Sequence, residues 1–389
     1  MLRFTIPANN LDISSLRLAL INYIVSIQKS KIFFIRANES AMQDNIDILK
    51  KFAIDTSNII SQNPNSYKAI AANLVKKDLA YLCFCNSNSC NCQSLKPQEI
   101  EAKLKSGSNY IIKVKGSKEE ISFVDKIEGT IKDYVDSFTL IDKKSSPSNI
   151  FALAIDDMSI GVSYSINSLS DINNRLREIY IQNLLSYNEN IIYYHIADIK
   201  NSPSVKELLQ DGFLPDAIIN YLLDLDAKRG IFYLNDAIEF FDIDKLQNKD
   251  YIFDINRLKK LNQEHLKRMD SKKLSTIFGF ADSDIGNLLK LYLDKASTIK
   301  ELDTIIISIF SPKECLNDLY KKVAKIIKEA PMINSYLEFK EYILKQVDIN
   351  EEELSKIIAY LLTGFDNNTK IEEIYKYLKP YLLEVVKCR

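Results

Sequence analysis

The segment from Leu2 to Arg36 constrains the fold most, because it reads as a strand, a turn, an amphipathic helix and a second strand. The two strands are short apolar runs at residues 2–6 and 31–36. Between them, apolar residues recur at the spacing of one helix face: Leu16, Leu20, Tyr23, Ile24 and Ile27. Such a β-α-β unit joins two parallel strands of one sheet.

Strand and helix patterns keep alternating after this unit, which predicts a parallel sheet covered by helices. The predicted elements are a helix at 44–52, a strand at 58–61, helices at 65–77 and 97–105, and strands at 109–114, 120–124 and 136–141. From residue 271 onward the pattern is almost entirely helical. The predicted fold class is therefore α/β: a Rossmann-like parallel sheet with a small α+β insert, followed by an all-α C-terminal helix-bundle domain.

The first unit resembles the start of glutamyl-tRNA synthetases, a family of class I aminoacyl-tRNA synthetases. Arg3-Phe4 and Leu16-Arg17 align with residues at either end of the family's Arg-Phe-Ala-Pro-Ser-Pro-Thr-Gly and His-Ile-Gly-Asn segments. The resemblance covers nearly the whole chain and is strongest from Asp136 to Lys267. It implies the class I synthetase fold, ATP with Mg²⁺ as cofactors, and tRNA as partner. Arg3 is the residue that it implies as a substrate-binding group.

The chain departs from the family at the nucleotide signature. The family's histidine and glycine fall at Asp12 and Ser14, and no glycine precedes Gly107. Glycine lets phosphates approach the backbone, and histidine donates to the leaving pyrophosphate. A carboxylate at this place would instead repel a triphosphate.

The family's amino-acid contacts are also replaced. The glutamate that helps to hold the substrate amino group falls at Asn38, the tyrosine of Tyr-Asn-Phe-Ala falls at Asn149, and the Arg-Gly-Glu-Asp-His run falls at Asn167 to Asp171. Replacing a charged partner by an amide gives up a charge-assisted contact. Arg175 and Arg177 follow one helical turn later, and we interpret them as a solvated helix face rather than as substitutes.

The mobile Lys-Met-Ser-Lys loop of the family has no counterpart, because only residues 197–203 separate the strand ending near His195 from the next helix. A loop that closes over ATP needs length. Lys200 and Lys206 remain in the shortened segment, and His195 is interpreted as a structural imidazole. The Asp156-Asp157 pair matches the family and is interpreted as structural, capping or tethering a helix end.

Cys83, Cys85, Cys90 and Cys92 form two Cys-x-Cys pairs within ten residues. In a reducing compartment four such thiols are typical of a structural zinc site, and four thiolates leave no open position for catalysis. Some members of the family carry a related zinc site in the insert that touches the tRNA acceptor stem. The alternative is that the thiols are free. Cys315 and Cys388 are interpreted as ordinary thiols.

The resemblance also divides the chain. The predicted regions are 1–80 and 135–200 for the two halves of the Rossmann-like domain, 81–134 for the acceptor-stem-type insert, 201–270 for the stem-contact region, and 271–389 for the anticodon-binding-like domain. The stem-contact region matches most closely, in the run Gly212-Phe-Leu-Pro-Asp-Ala. Lys321, Lys322, Lys325 and Lys328 could line an RNA backbone, although we interpret them as a solvated face.

Composition sets few further limits. The net charge of −1 gives no bulk basic character that would by itself indicate nucleic-acid binding. No apolar run is long enough to span a bilayer, and Arg3 with Asn9 and Asn10 interrupts any signal-peptide pattern. We therefore expect a cytoplasmic location without membrane contact.

Three functions remain open. In the first, the chain is a catalytically inactive paralogue with no catalytic residues, retained for tRNA or for a protein partner such as a true synthetase or a tRNA-modifying complex. In the second, it is a divergent active glutamate–tRNA ligase, which would use ATP and Mg²⁺ and rely on Arg3, Lys200 and Arg175. In the third, it is a structural interaction subunit that does not bind tRNA.

Overall fold

The structure is a computed structural model, which describes residues 1–37, 42–60, 62–85, 90–226, 228–315, 317–365 and 370–389. The chain divides into two compact units. The sheet unit comprises Met1–Lys206, Leu222–Ala227 and Phe232–Phe253. The helical unit comprises Glu207–Tyr221, Lys228–Ile231 and Asp254–Arg389. No helix within the described ranges is long and apolar enough to cross a bilayer.

Strands and helices alternate in the first half of the chain. In order, they are β1 Leu2–Thr5, α1 Ile13–Gln28, β2 Phe33–Arg36, α2 Met42–Lys51, β3 Ile59–Ile60, α3 Pro64–Lys76, β4 Ala80–Cys83, α4 Pro97–Lys105, β5 Ile111–Val114, β6 Ile121–Asp125, β7 Gly129–Asp133, β8 Thr139–Ile141, α5 Asn149–Ile160, β9 Tyr164–Ser168, α6 Ile172–Leu184, β10 Ile192–Ile196 and β11 Ile199–Lys200.

The second half is mostly helical. Its elements are α7 Val205–Gln210, α8 Pro215–Leu223, α9 Leu234–Phe240, β12 Tyr251–Ile252, α10 Ile255–Arg268, α11 Ser271–Ile277, α12 Asp284–Lys290, α13 Ile299–Phe310, α14 Asp318–Glu329, α15 Tyr336–Leu344, α16 Glu351–Thr363, α17 Ile371–Leu378 and α18 Leu382–Val385.

The parallel strands form the centre of the sheet unit. β1 pairs in parallel with β2 and β2 with β3, while β9 pairs in parallel with β10. The two groups meet at β1 and β9, because the Ser163 and Tyr164 N–H groups both donate to the Met1 carbonyl. The order β3-β2-β1-β9-β10 is that of a Rossmann-like sheet, in which the order of the strands along the chain reverses between β1 and β9. The predicted fold class is confirmed.

Antiparallel strands within residues 80–141, a range wider than the predicted insert at 81–134, are added to this frame, because the strand predicted at 136–141 pairs with β5. β4, β5 and β8 form one antiparallel sheet, and β6 and β7 form a hairpin whose first strand joins β10 at Asp125 and Tyr193. Strand β7 carries no predicted strand pattern, because it lies at a sheet edge and most of its side chains are exposed. The insert and the Rossmann-like core therefore share a continuous four-stranded sheet.

Each helix next to the cleft begins or ends at a residue suited to that place. α1 begins after Asp12, whose carboxylate accepts from the Ser15 N–H at 2.7 Å. α5 begins after Ser148 and ends at Gly161, which adopts the left-handed conformation at φ 66°. One face of α1 is fully buried and packs into the sheet-unit core through Leu16, Leu20 and Ile24.

The helical unit has its own core, formed by the apolar faces of α10 to α18. At its C-terminal end Lys313 is buried, and its Nζ donates to the carbonyl oxygens of Ile309 and Val385. Burial lowers the pKa of Lys313 to about 8. Cys315 and Cys388 are joined in a disulfide, with Cα atoms 5.4 Å apart, so the interpretation as ordinary thiols is wrong. The two cysteines are 73 positions apart, so the local sequence did not indicate that they pair.

Candidate functional site

A cavity of about 330 Å³ lies at the carboxyl ends of β1 and β9, where Thr5 and Ser168 end their strands. The first turn of α1, the start of α5 and the first turns of α6 complete its walls. Ligands of open parallel sheets bind at this kind of position, where the strand order reverses. We therefore refer to this cavity as the cleft.

The structure places four of the predicted site residues in the walls of the cleft: Arg3, Ser14, Asn149 and Asn167. Asp12 lies just beside them at the N-cap of α1. Asn38 lies outside the described residues. The residues that the resemblance singled out come from distant segments of the chain, and the structure brings them together.

Arg3 is occupied by a protein carboxylate. Its Nε lies 2.5 Å from Oδ1 of Asp157 and its Nη2 lies 3.1 Å from Oδ2, which is a bidentate pair. Its Nη1 donates to the Thr5 hydroxyl at 2.7 Å. Both partners of the ion pair are buried. A carboxylate ligand in the cleft would compete with Asp157 for the same guanidinium.

Arg175 belongs to the same buried group, and its interpretation as a solvated residue is wrong. Its side chain is 3% exposed, it is ion-paired with Glu178, and its Nη1 lies 3.7 Å from Asp157 Oδ2. Its guanidinium also lies over the ring of Tyr193, 5.5 Å from the centroid. Burial raises the pKa of Glu178 to about 7, although Arg175 acts in the opposite direction.

Arg3, Asp157, Arg175 and Glu178 thus form a buried network, which we call the ionic floor, with two positive and two negative groups. The floor has no excess positive charge when both carboxyl groups are ionised. Asp171 and Asp198 are exposed and add two carboxylates at the mouth of the cleft. The charge around the cleft is therefore negative rather than positive.

Residues 197–205, which we call the strap, run across the N-terminus of α1. The Ile13 N–H donates to the Pro203 carbonyl at 3.1 Å, and the Ser14 N–H donates to the Ser202 hydroxyl at 2.9 Å. The next two N–H groups donate to the side chain and the carbonyl of Asp12, at 2.7 and 2.9 Å. The N–H groups of Ile13, Ser14 and Ser15, which have no acceptor within the helix and which a helix usually offers to an anion, all have protein acceptors, and the Leu16 N–H makes the first bond within the helix.

The strap is fixed on its other side as well. The Ala197 N–H donates to Asn248 Oδ1 at 2.8 Å, and β11 pairs in parallel with β12. Lys200 forms an exposed ion pair with Asp250 at 2.8 Å, so its ammonium group is directed to a neighbour outside the cleft. Under the strap, buried Arg17 donates to the Ala197 carbonyl at 2.9 Å. Contacts on both sides argue against a loop that opens and closes.

Asp198 joins the strap to the cleft. Its carboxylate accepts from the Ser168 hydroxyl at 2.5 Å and from the Ser14 hydroxyl at 3.3 Å. Ser14 in turn accepts from the Ile199 N–H at 3.0 Å. The serine at the family's glycine position therefore holds the strap with both its hydroxyl and its backbone amide.

The remaining predicted residues have structural partners. Arg36 pairs with Asp156 at 2.7 Å and donates to Asn149 Oδ1 at 3.0 Å. His195 is fully buried, and its Nδ1 lies 2.8 Å from Asp125 Oδ2. These contacts agree with the structural interpretation of His195. Asp156 and Asp157 anchor α5 to β2 and β1 through two arginines, as the tethering interpretation predicted.

The four cysteines of the insert converge. Their sulfur atoms all lie within 4.8 Å of one another, with Cys83–Cys90 at 3.3 Å and Cys85–Cys92 at 3.2 Å. A tetrahedral zinc–thiolate site with bonds of about 2.3 Å places its sulfur atoms about 3.8 Å apart, so the donor set fits zinc. Burial raises the pKa of Cys90, but hydrogen bonds from the Cys92 amide and the neighbouring thiols outweigh burial and lower it to about 7.

Two features of this site were missed by the sequence analysis. Asp198 gave no signal, because its partners Ser14 and Ser168 are remote along the chain, and the pairing of Glu178 with Arg175, three residues earlier on the same helix, was overlooked. The only sequence signal for the strap was that the segment at 197–203 is shorter than the family's mobile loop.

Comparison with known proteins identifies similar chains. Residues 87–268 match the family model described as tRNA synthetases class I (E and Q), catalytic domain. Glutamate–tRNA ligase 2 of Sulfurovum sp. (strain NBC37-1) is 34% identical over 426 aligned positions, covering 99% of this chain and 100% of that protein. Glutamate–tRNA ligase 2 of Sulfurimonas denitrificans is 35% identical over 436 positions, covering all of both.

The fold comparison agrees. A crystal structure of glutamate–tRNA synthetase from Elizabethkingia anophelis has a TM-score of 0.74 at 15% identity, covering 99% of this chain and 98% of that one. The alignments with the two ligases are longer than the 389 residues of this chain. Those relatives therefore contain residues with no counterpart here.

Proposed function

This chain belongs to the glutamyl-tRNA synthetase family, and we propose that it binds tRNA but does not activate glutamate. The observation that carries the proposal is the strap over the N-terminus of α1. Activation would require ATP phosphates to approach this helix end, where free amides and the helix dipole stabilise negative charge. Here the Ile13 and Ser14 amides are bound to the strap and the Ser15 amide is bound to the Asp12 carboxylate.

Electrostatics at the same place supports the proposal. The carboxylates of Asp12 and Asp198 lie at the N-terminus of α1, which a triphosphate would have to approach, and like charges at short range oppose binding. Each missing phosphate or transition-state contact typically costs about 2–4 kcal/mol of the activation free energy. The strap removes several such contacts at once.

Among the described residues that line the cleft, no cation is free to bind an amino-acid substrate. Arg3 and Arg175 are neutralised within the ionic floor, and Lys200 is paired with Asp250 outside the cleft. These are the three residues on which a divergent active ligase would rely. The names of the relatives support an active ligase equally well, and the geometry of the cleft is what favours the inactive alternative.

RNA binding is supported by the family and by a basic surface on the helical unit. Lys260, Lys267 and Arg268 are exposed along α10, where Lys267 is also ion-paired with Glu264 at 2.7 Å. Lys272 and Lys273 are exposed in the first turn of α11. Lysine and arginine in such a row bind phosphates without sequence preference. If the chain binds a protein partner instead of tRNA, the test below will detect no tRNA binding.

The test is calorimetry with ATP and with glutamate, in the presence and absence of tRNA, together with ATP–pyrophosphate exchange. We expect no heat of binding for either small ligand at millimolar concentration and no exchange, while tRNA binds. Tight binding of both ligands with exchange would establish the active ligase instead.

The salt dependence of tRNA binding checks the second half of the proposal. The logarithm of the affinity should fall linearly with the logarithm of salt concentration, and Lys267→Glu should reduce the slope by about 1. Lys68→Glu, on an exposed residue of α3 in the sheet unit, is the matched control and should leave the slope unchanged. Failure to bind any tRNA would favour the interaction subunit.

We further propose that Cys83, Cys85, Cys90 and Cys92 hold a structural zinc ion in the insert. Metal analysis should find one zinc per chain in protein purified without chelator, and Cys90→Ser should reduce the content to nearly none, because a structural site needs all four ligands. The double variant C315S/C388S keeps all four thiols and should retain zinc. If the wild-type protein contains no zinc, and its melting temperature is the same with and without added zinc, the four thiols are free.

A further inference from the structure

The disulfide between Cys315 and Cys388 joins two segments of the helical unit that are far apart in the chain. Cys315 lies in residues 311–315, which follow α13 and which we call the α13 loop. Cys388 lies in the segment at 387–389, which follows α18. Both cysteines are half-buried against the core of the helical unit. A small thiol can reach a half-buried disulfide, whereas a fully buried one is inert until the protein unfolds.

The α13 loop is held to the helical unit by contacts of its own. The hydroxyl of Tyr360 in α16 donates to the Glu314 carbonyl at 3.0 Å. The Nζ of buried Lys313 donates to two backbone carbonyl oxygens, one in α13 and one in α18. None of these hydrogen bonds involves the 387–389 segment. They therefore hold the loop whether or not the two sulfur atoms are joined.

The 387–389 segment is held less firmly. It follows Val385 and Val386, which are fully buried in the core. Two backbone hydrogen bonds join it to the loop, because the Lys313 N–H donates to the Lys387 carbonyl at 2.7 Å and the Arg389 N–H donates to the Lys313 carbonyl at 2.9 Å. A hydrogen bond within a protein replaces one to water, so its net contribution is small. The disulfide is therefore the main restraint on this segment.

Charge opposes the position of the segment. The Nζ of Lys313 is bonded to carbonyl oxygens rather than to a carboxylate. Burial lowers the pKa of Lys313 to about 8, and the like charge of Lys387 acts in the same direction. At neutral pH the Lys313 ammonium group repels Lys387, so the disulfide holds the segment against a repulsive force.

The remaining cysteines set the redox conditions. The four cysteines of the insert are free thiols in the structure, and the zinc site proposed above requires them to stay reduced. In a reducing compartment, a disulfide that small thiols can reach does not persist unless an oxidant forms it. The pair in the helical unit would therefore change its state with the thiol and disulfide concentrations around it.

We propose that Cys315 and Cys388 form a reversible redox site whose reaction partner is a small thiol or its disulfide, and that reduction releases the 387–389 segment from the α13 loop. In the reducing step a thiolate attacks one sulfur atom of the pair and forms a mixed disulfide, while the other sulfur atom leaves as a thiolate and takes up a proton. A second small thiol then displaces the first cysteine. Two electrons pass to the pair, which becomes two thiols, and the two small thiols become one disulfide. The inference is independent of tRNA binding, because α10 and α11 precede the loop that the disulfide closes.

The first test follows the state of the pair in the full chain under native conditions. Protein oxidised with glutathione disulfide is treated with millimolar reduced glutathione, alkylated, and analysed by peptide mass spectrometry, which distinguishes Cys315 and Cys388 from the insert cysteines. We expect the pair to be reduced without denaturant and to re-form when glutathione disulfide is added back. If reduction requires denaturant, the disulfide is a permanent crosslink and the proposal is wrong. If the pair never oxidises, the proposal is also wrong.

The second test measures the release of the segment. The Lys313 and Arg389 amides, which form the two bonds between segment and loop, should exchange hydrogen roughly tenfold faster in reduced than in oxidised protein. Acylation of the Lys313 amine should also increase, because the segment pairs beside this residue. Lys290 is the control, since it is also partly buried and donates to a backbone carbonyl, that of Met269, at 2.6 Å. Its acylation should be equal in both states. Equal exchange and equal Lys313 acylation in both states would overturn the proposal.

The double variant C315S/C388S repeats the comparison without any reductant that could remove zinc. It should show the exchange rates of reduced wild-type protein and no response to glutathione. Its melting temperature should lie below that of the oxidised wild type by on the order of 10 °C, because the disulfide closes a loop between residues 73 positions apart. Exchange of the β1 amides should not change. A variant with the exchange rates and melting temperature of the oxidised wild type would show that the disulfide does not hold the segment.

Discussion

Replacing Asp157 with alanine is expected to lower the free energy of unfolding of the sheet unit by about 3–5 kcal/mol. Asp157 contacts Arg3 at 2.5 Å and lies 3.7 Å from Arg175, and all three side chains are almost fully buried. Without Asp157, two buried guanidinium groups would share the single carboxylate of Glu178. Removing one partner from a buried pair leaves an uncompensated charge, which costs more than the pair itself contributes.

The measurement is urea unfolding combined with hydrogen exchange of the β1 and α5 amides, because the two units need not unfold together. Asp250→Asn is the matched control. It also removes an aspartate from an ion pair, with Lys200 at 2.8 Å, but both side chains of that pair are more than half exposed. It should change stability by less than about 1 kcal/mol. Equal effects of the two substitutions would show that the ionic floor does not stabilise the fold.

Replacing Gly286 with alanine is expected to destabilise the helical unit by about 3 kcal/mol or more. A Cβ atom at this position of α12 would lie 1.9 Å from the Ser271 carbonyl oxygen and 2.7 Å from its carbon. Both atoms belong to the backbone at the start of α11, so no side-chain rotation relieves the collision. The two helices would have to separate, and the hydrogen bond from the Gly286 N–H to the Ser275 hydroxyl at 2.7 Å would be strained.

Hydrogen exchange of the α11 and α12 amides should show this loss, with the sheet-unit amides unchanged. Gly230→Ala is the control, since a Cβ there meets nothing within 4 Å and the residue lacks a left-handed backbone. That variant should be as stable as the wild type or slightly more so, because alanine has fewer unfolded conformations. A stable G286A variant would mean that α11 and α12 pack less closely than described.

The parts of the fold that follow from local pattern were predictable, and those that depend on distant partners were not. The apolar spacing of α1 and its flanking strands required a parallel sheet, and Asp156 and Asp157 were recognised as structural. The burial of Arg175 was not predicted, because an arginine on an amphipathic helix is usually solvated, and its partner Asp157 is on another helix. The disulfide of Cys315 and Cys388 was missed for the same reason.

The candidate site shows the same division. Substitutions at Asp12, Ser14, Asn149 and Asn167 indicated which chemical groups the cleft lacks. They did not indicate what had replaced those groups, because a hydrogen bond from Ser14 to Ser202 joins residues 188 positions apart. The four cysteines were the exception, since all of them lie within one short segment and the sequence alone placed them together.

Because of the strap, no single mutation is expected to free the N-terminal amides of α1. The acceptors that occupy its first three amides come from Asp12, Ser202 and Pro203, and Asn248 holds the strap from a third segment. Changing Asp12 frees one side-chain contact and leaves the carbonyl and hydroxyl of the strap in place. Changing Ser202 leaves the Asp12 carboxylate bound to the Ser15 N–H. A lineage that carries this arrangement could regain a phosphate site only through several changes together, none of which gives a benefit by itself. The hydrogen bonds of the strap therefore make the loss of this site hard to reverse in evolution.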